Sequence, residues 1–195
     1  MQQASLIAPT TSNTATQVRS TLLQMSLRGV RSQGNFQRWE AFVEPEYREL
    51  ILESIAPSWL PIEAGLAHYM ACDRFGLDDE TLEKIGLGVG AQLQSTLLGM
   101  ASKIASTMVT QELVNQQFMR LWPRLVQGGN MQITHRGKEV TIELRGAVLS
   151  KSRYFRGTLL GNVRAGSALF GQKLTYLRAA SYDERSDYYV VQLGH

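Results

Sequence analysis

The chain has 195 residues, 44% of them hydrophobic, which is enough to bury one sizeable core. Lys and Arg number 20 against 17 Asp and Glu, a net charge of +3 with no large excess to neutralise a phosphate backbone; charge alone argues nothing about nucleic acid, and no nucleic-acid partner is expected. The lone cysteine, Cys72, excludes an internal disulfide framework and a multi-cysteine zinc site and fits a reducing compartment, so the cytoplasm is the expected location.

The opening stretch, MQQASLIAPTTSNTATQ, has no basic start followed by a continuous apolar run, so it does not read as a secretory signal; residues 1–18 are expected to form a flexible or draped tail. Nowhere do eighteen apolar residues run together, and no membrane span is predicted. VRSTLLQMSLRGVRS fits an edge strand or a short helix equally well. From NFQRWEAF through EYRELILESI the spacing is helical, and Pro45 should divide it into two pieces. After the turn APSWLP come a helix over IEAGLAHYMACDRF, stopped by Gly76, and a longer one opened by Asp78 and Asp79, whose side chains suit a helix start. In that longer helix GLGVG is not a phosphate cradle, because it follows a helical pattern instead of a strand; its glycines are spaced for close helix contact.

The helix TQELVNQQFMRLW is predicted to end at Pro123, after which the period changes from near 3.6 to 2. A hairpin turning at Gly137, an amphipathic helix over YFRGTLLGNVRAGSALF stopped by Gly171, and two strands about DERSD complete the chain. The expectation is one α+β domain over 19–195, an all-helical part (19–123) packed on a C-terminal ββαββ antiparallel sheet (124–195). Gly157, Gly161 and Gly166, with Ser167 and Ala168, make the last helix small-sided. Close packing of helix on sheet, a homodimer contact, and a ligand resting on the helix each account for that.

WLPIEAGLAHYMACDRFGLDDETLEKIG, LWPRLVQGGNMQI and the closing ββαββ pattern resemble the haem-nitric-oxide/oxygen-binding (H-NOX) domain. They also resemble its haem-free, vinyl-reductase-type relatives and a large paralogous family of myxobacteria with similar length and layout. The resemblance covers most of the chain and rests on helix order, turn positions and a few aromatic anchors. It implies an H-NOX-like fold and a sensory or regulatory role.

In the resembled domain a histidine on the helix before the aromatic-Pro turn holds the haem iron. Aligning that turn with Trp122-Pro123 puts Asn115 there, and asparagine is a poor axial ligand. The Tyr-x-Ser-x-Arg motif that grips the propionates is likewise missing from IELRGAVLSKSR. The resemblance therefore implies a scaffold without haem, and no cofactor is expected. His68, Asn115 and Trp122 are the residues to line a pocket if one persists. His68 is read as a half-buried, hydrogen-bonded core histidine, with iron ligation as the sharper alternative. Neither His135 nor His195 stands at metal-ligand spacing from another donor, so no metal site is predicted. Cys72, four residues after His68, reads as core filling before it reads as a nucleophile, and no catalytic residue is predicted.

One stretch stands out. In LRGAVLSKSRYFRGTLLGNVRAG the side chains of Arg145, Lys151, Arg153, Tyr154 and Arg156 surround the start of the last helix, where arginine forks and helix N–H groups favour an anionic ligand or an acidic partner. An ordinary solvated face is the plainer account. Three functions are weighed: a non-enzymatic module that binds a small apolar or amphipathic ligand or a protein partner, a haem protein using His68, and an enzyme using Cys72 or His68. The first is the reading adopted.

Overall fold

The computed structural model describes residues 6–7, 14–101, 111–169, 171 and 173–194; side chains at 6–7, 91–101, 111–115, 117, 118 and 169 lie outside the description. Asn115 thus has a described backbone only, and His195 and most of the expected tail lie outside the described residues. Two pieces of that tail segment are nevertheless strands, β1 (Leu6–Ile7) and the start of β2 (Gln17–Arg19). The ambiguous stretch after them is both strand and helix, because β2 runs directly into α1 (Ser20–Ser32).

Leu22, Leu23, Ser26, Leu27 and Val30 recur with helical period along α1 and are all buried. Its first turn lacks a capping side chain at Arg19; Ser20 N–H donates to the Ser58 carbonyl at 2.9 Å instead, and Ser58 N–H returns to Ser20 Oγ at 3.0 Å. Pro45 divides the following segment as expected: α2 (Phe36–Phe42) ends before it, and α3 (Pro45–Glu53) begins on it, where a missing N–H costs nothing. β3 (Trp59–Pro61) leads into α4 (Ile62–Asp73), and α5 (Asp79–Ala101) opens with Thr81 N–H donating to Asp78 Oδ1 at 2.7 Å.

The expected stop at Pro123 is corrected, since α6 (Gln111–Leu125) continues past it before β4 (Val126–Gln127). A proline in the last turn removes one helical hydrogen bond, and the chain is held beyond it by Val126, which is 1% exposed and pairs with Val18. The N-terminal part is also not all-helical. β3 and β4, the latter from beyond that part, flank β2 in a three-stranded antiparallel sheet that joins three distant parts of the chain.

The C-terminal part is the ββαββ unit, built from β5 (Asn130–Arg136), β6 (Glu139–Arg145), α7 (Arg153–Leu169), β7 (Tyr176–Asp183) and β8 (Tyr188–Gly194). Gly137, at φ +64, makes the tight turn between β5 and β6. With β1 added, the antiparallel sheet has the order β1-β5-β6-β8-β7. Register pairs Leu144 with Tyr189, Ile142 with Val191 and Val140 with Leu193, so these six side chains share one face, and all are buried.

Gly157 and Gly161 of α7 pack on α5, helix against helix, a neighbour that none of the three accounts of the small residues named. A Cβ on Gly86 would sit 2.0 Å from the Thr158 carbonyl oxygen, and one on Gly161 would sit 2.1 Å from that of Glu83. Gly90 faces Ala165 and Gly157 faces Leu82 in the same seam. The two backbones therefore touch, as the glycine spacing of α5 predicts. The whole is an α+β fold of helices and two antiparallel sheets.

Candidate functional site

The start of α7 is an anion site that the protein occupies itself. Asp73, the last residue of α4, accepts hydrogen bonds from the backbone N–H of Arg153 (3.1 Å) and Tyr154 (2.5 Å) and from the Ser152 hydroxyl (3.0 Å). Ser152 completes the cap by accepting from Phe155 N–H at 3.1 Å. A negative group at a helix N-terminus is favourable, and here it ties α4 to α7.

Each basic side chain singled out in the sequence likewise has a partner in the fold. Arg153 donates to the Leu77 carbonyl and to Asp79 Oδ1, both at 2.6 Å. Arg156 donates to the carbonyls of Ser150 (2.6 Å) and Lys151 (3.0 Å) and lies 4.1 Å from the Tyr182 ring centroid. Lys151 reaches Asp187 at 3.4 Å and Arg145 reaches Glu143 at 2.8 Å. Arg164 pairs with Glu83 of α5. Tyr154 does not stand on a rim: it is 1% exposed, in the core beside Tyr69 and Phe75.

Arg153 and Arg156 border a cleft of about 560 Å³. It is lined by Asp79, Glu80 and Glu83 from the first turns of α5 and, besides the two arginines, by Gly157 and Leu160 of α7. Ala179 of β7 and Tyr189 of β8 complete the lining. Tyr189 is 1% exposed, and its Oη is buried with no hydrogen-bond partner among the described residues. Burial pushes its phenol up to about 12, Arg156 pulling the other way and Asp79 adding to the rise, so it stays protonated at neutral pH. Sequence reading placed a strand over YYVVQL without picking out Tyr189. The signal was the period-2 alternation, which sets Tyr189 on the same face as Val191 and Leu193.

The expected pocket residues do not gather around that cleft. His68 is fully buried on α4, beyond the half-burial expected, with Nε2 2.9 Å from Ser26 Oγ and its ring against Trp39 and Tyr69. Burial alone lowers its pKa to about 3, so the imidazole is neutral, and Nδ1 has no hydrogen-bond partner among the described residues. Trp122 is buried near the end of α6, and no ring contact or hydrogen bond joins it to His68 among the described residues. Cys72 is 1% exposed, and burial, with Asp73 beside it, raises its thiol well above the usual range, which keeps it protonated. Among the described residues no three His, Cys, Asp or Glu side chains form a group able to hold a metal ion, and no helix is long and apolar enough to cross a membrane.

No family model matches the chain, and no curated protein matches it. Solved structures do. The H-NOX protein from K. algicida, in its Fe(II) unliganded form, superposes with a TM-score of 0.61 at 8% identity, over 90% of this chain and 95% of that one. A Cs H-NOX mutant carrying an unnatural amino acid gives 0.54 at 11% identity, over 90% of this chain and 95% of its own, and a Tt H-NOX variant gives 0.53 at 11%, over 90% and 94%. The chain has an H-NOX-like fold.

Proposed function

We propose that this chain is a non-enzymatic sensory or regulatory module that binds a small amphipathic molecule on an H-NOX-like scaffold without haem. The observation that carries the reading is the α5–α7 cleft, a concave site of ligand size lined by Leu160, Ala179 and Tyr189 among the charged side chains of α5 and α7. The donor chemistry fits a haem iron poorly. Asparagine at position 115 of α6 is not among the usual axial ligands, and His68 is committed to Ser26 inside the core. A protonated, buried Cys72 speaks against thiol catalysis in the same way.

Native mass spectrometry of the purified protein, compared with its mass after denaturation, tests the reading. A folded-state excess of a few hundred daltons that vanishes on unfolding is the expected outcome. An excess equal to haem, with a Soret band that His68→Ala abolishes, would overturn it.

A further inference from the structure

We infer that the groove between the α2–α3 junction and α4 is a docking surface for a basic amphipathic helix of a partner protein, its apolar stripe seated on Phe42, Ala67 and Met70 and its lysines or arginines facing Glu44, Glu46 and Glu63. This surface is separate from the small-molecule site proposed above, since the groove shares no lining residue with the α5–α7 cleft.

Exposed apolar surface gathers there. Among the described residues the large hydrophobics that stand exposed are Leu50, Leu52, Ile55 and Met70, and all four lie on α3, the loop after it or α4. Single exposed apolar residues are ordinary, but their confinement to one short stretch of surface marks a contact face. Met70, 46% exposed, lines a groove of about 420 Å³ together with Phe42, Ala67 and Ala71, with Glu44 and Arg74 also on its lining.

Charge selects the occupant. Residues 38–74 hold seven acidic and three basic side chains, in a chain whose net charge is +3. Glu44, Glu46, Glu49, Glu53 and Glu63 are exposed, and none of them forms a salt bridge among the described residues. The nearby cations are engaged elsewhere: Arg48 donates to the Glu40 carbonyl at 3.1 Å, and Arg74 lies 4.8 Å from the Phe42 ring centroid. Folding does not account for these glutamates. Glu46, Glu49 and Glu53 follow one another at three- and four-residue spacing, where like charges repel, and Glu53 is the last residue of α3, where the helix dipole disfavours a negative group. Leu50, four residues after Glu46 and three before Glu53, shares their exposed face. The Tyr47 phenol is raised by burial and then by the charges of Glu46, Glu44 and Glu63, which sets three carboxylates around one ring beside the groove.

Apolar side chains edged by unpaired carboxylates complement a helix whose apolar stripe is flanked by Lys and Arg. A membrane surface or a nucleic acid, both anionic, would be repelled. A second copy meeting this face across a two-fold axis would set the same glutamates against each other.

The test titrates two synthetic amphipathic helices, one of Leu and Lys and one of Leu and Glu, into the full ¹⁵N-labelled chain, with amide shifts as the readout. The same titrations are run on Met70→Gln and on the triple variant Glu44→Gln/Glu46→Gln/Glu63→Gln. All four positions are exposed, so both variants should fold, and an unchanged Tm will confirm that. The Leu/Lys helix is expected to shift the amides of Glu44, Ala67 and Met70 and the Leu/Glu helix to leave them in place. Each variant should bind the Leu/Lys helix about tenfold more weakly, and the triple variant should also lose most of the weakening that added salt causes in the parent. Shifts centred on the acidic start of α5 at Asp79 and Glu80 would overturn the site, as would no binding of either helix. Equal binding of the Leu/Glu helix, or full affinity in the triple variant, would overturn the basic partner, and full affinity in Met70→Gln would overturn the apolar seat. A chain that sediments as a dimer, and as a monomer once Met70 is replaced, would give the face to a second copy and overturn the proposal. None of these outcomes depends on whether native mass spectrometry finds a small molecule bound.

Discussion

Lowering the pH from 7 to 5 should cost the protein about 2 kcal/mol of stability through His68 alone. An imidazole in an unfolded chain titrates near 6.5, whereas burial holds His68 down to about 3. Between those values the unfolded state takes up a proton that the native state refuses. Stability is therefore complete above pH 6.5 and falls by up to ~1.36 kcal/mol per unit until the native imidazole itself protonates near 3. Over the roughly 1.5 units between 6.5 and 5 the loss comes to about 2 kcal/mol. Urea unfolding followed by tryptophan fluorescence is a suitable assay, because the Trp39 ring lies 5.8 Å from that of His68. His68→Gln keeps an amide that can bond Ser26 Oγ and removes the titration. The variant should be less stable at pH 7, yet lose about 2 kcal/mol less than the parent between pH 7 and 5. Parallel losses in the two proteins would refute the reasoning, since they would mean that His68 titrates alike in the folded and unfolded chains.

Gly86→Ala should destabilise by about 3 kcal/mol or more, because its Cβ would overlap the Thr158 carbonyl, while Gly88→Ala, with nothing within 4 Å, should stabilise by up to ~1 kcal/mol; chemical denaturation measures both. Asp73→Asn replaces an acceptor of the α7 cap with a donor and removes its charge, for an expected loss of about 1–2 kcal/mol in the same assay. Cys72 should resist iodoacetamide in the native protein at pH 8 and react fully in urea, which mass spectrometry will show; rapid native alkylation would contradict its burial.

What could be read from the sequence was local. Pro45 announced a break because it lacks an N–H, Gly137 announced a turn because it takes a positive φ, and the alternation in EVTIELR matches the buried Val140, Ile142 and Leu144. What could not be read depended on partners far along the chain. Arg153 reads as a free cation until Asp79 and Leu77 are brought beside it, and the start of α7 reads as an open anion site until Asp73 arrives. The glycines of α7 announced a close neighbour without saying that it was α5. Tyr189 was hidden for a similar reason, since strand period assigns its face but not the cleft that forms above it.

The glycine seam has a mechanical consequence. Where two helices meet backbone to backbone, as at Gly86 and Gly161, neither can slide or roll there without forcing main-chain atoms together. The two helical walls of the cleft thus move as one body, and the Asp73 cap couples α4 to them. The remaining contact is with β7, an outer strand of the sheet whose register shifts between Ala179 and Ser181.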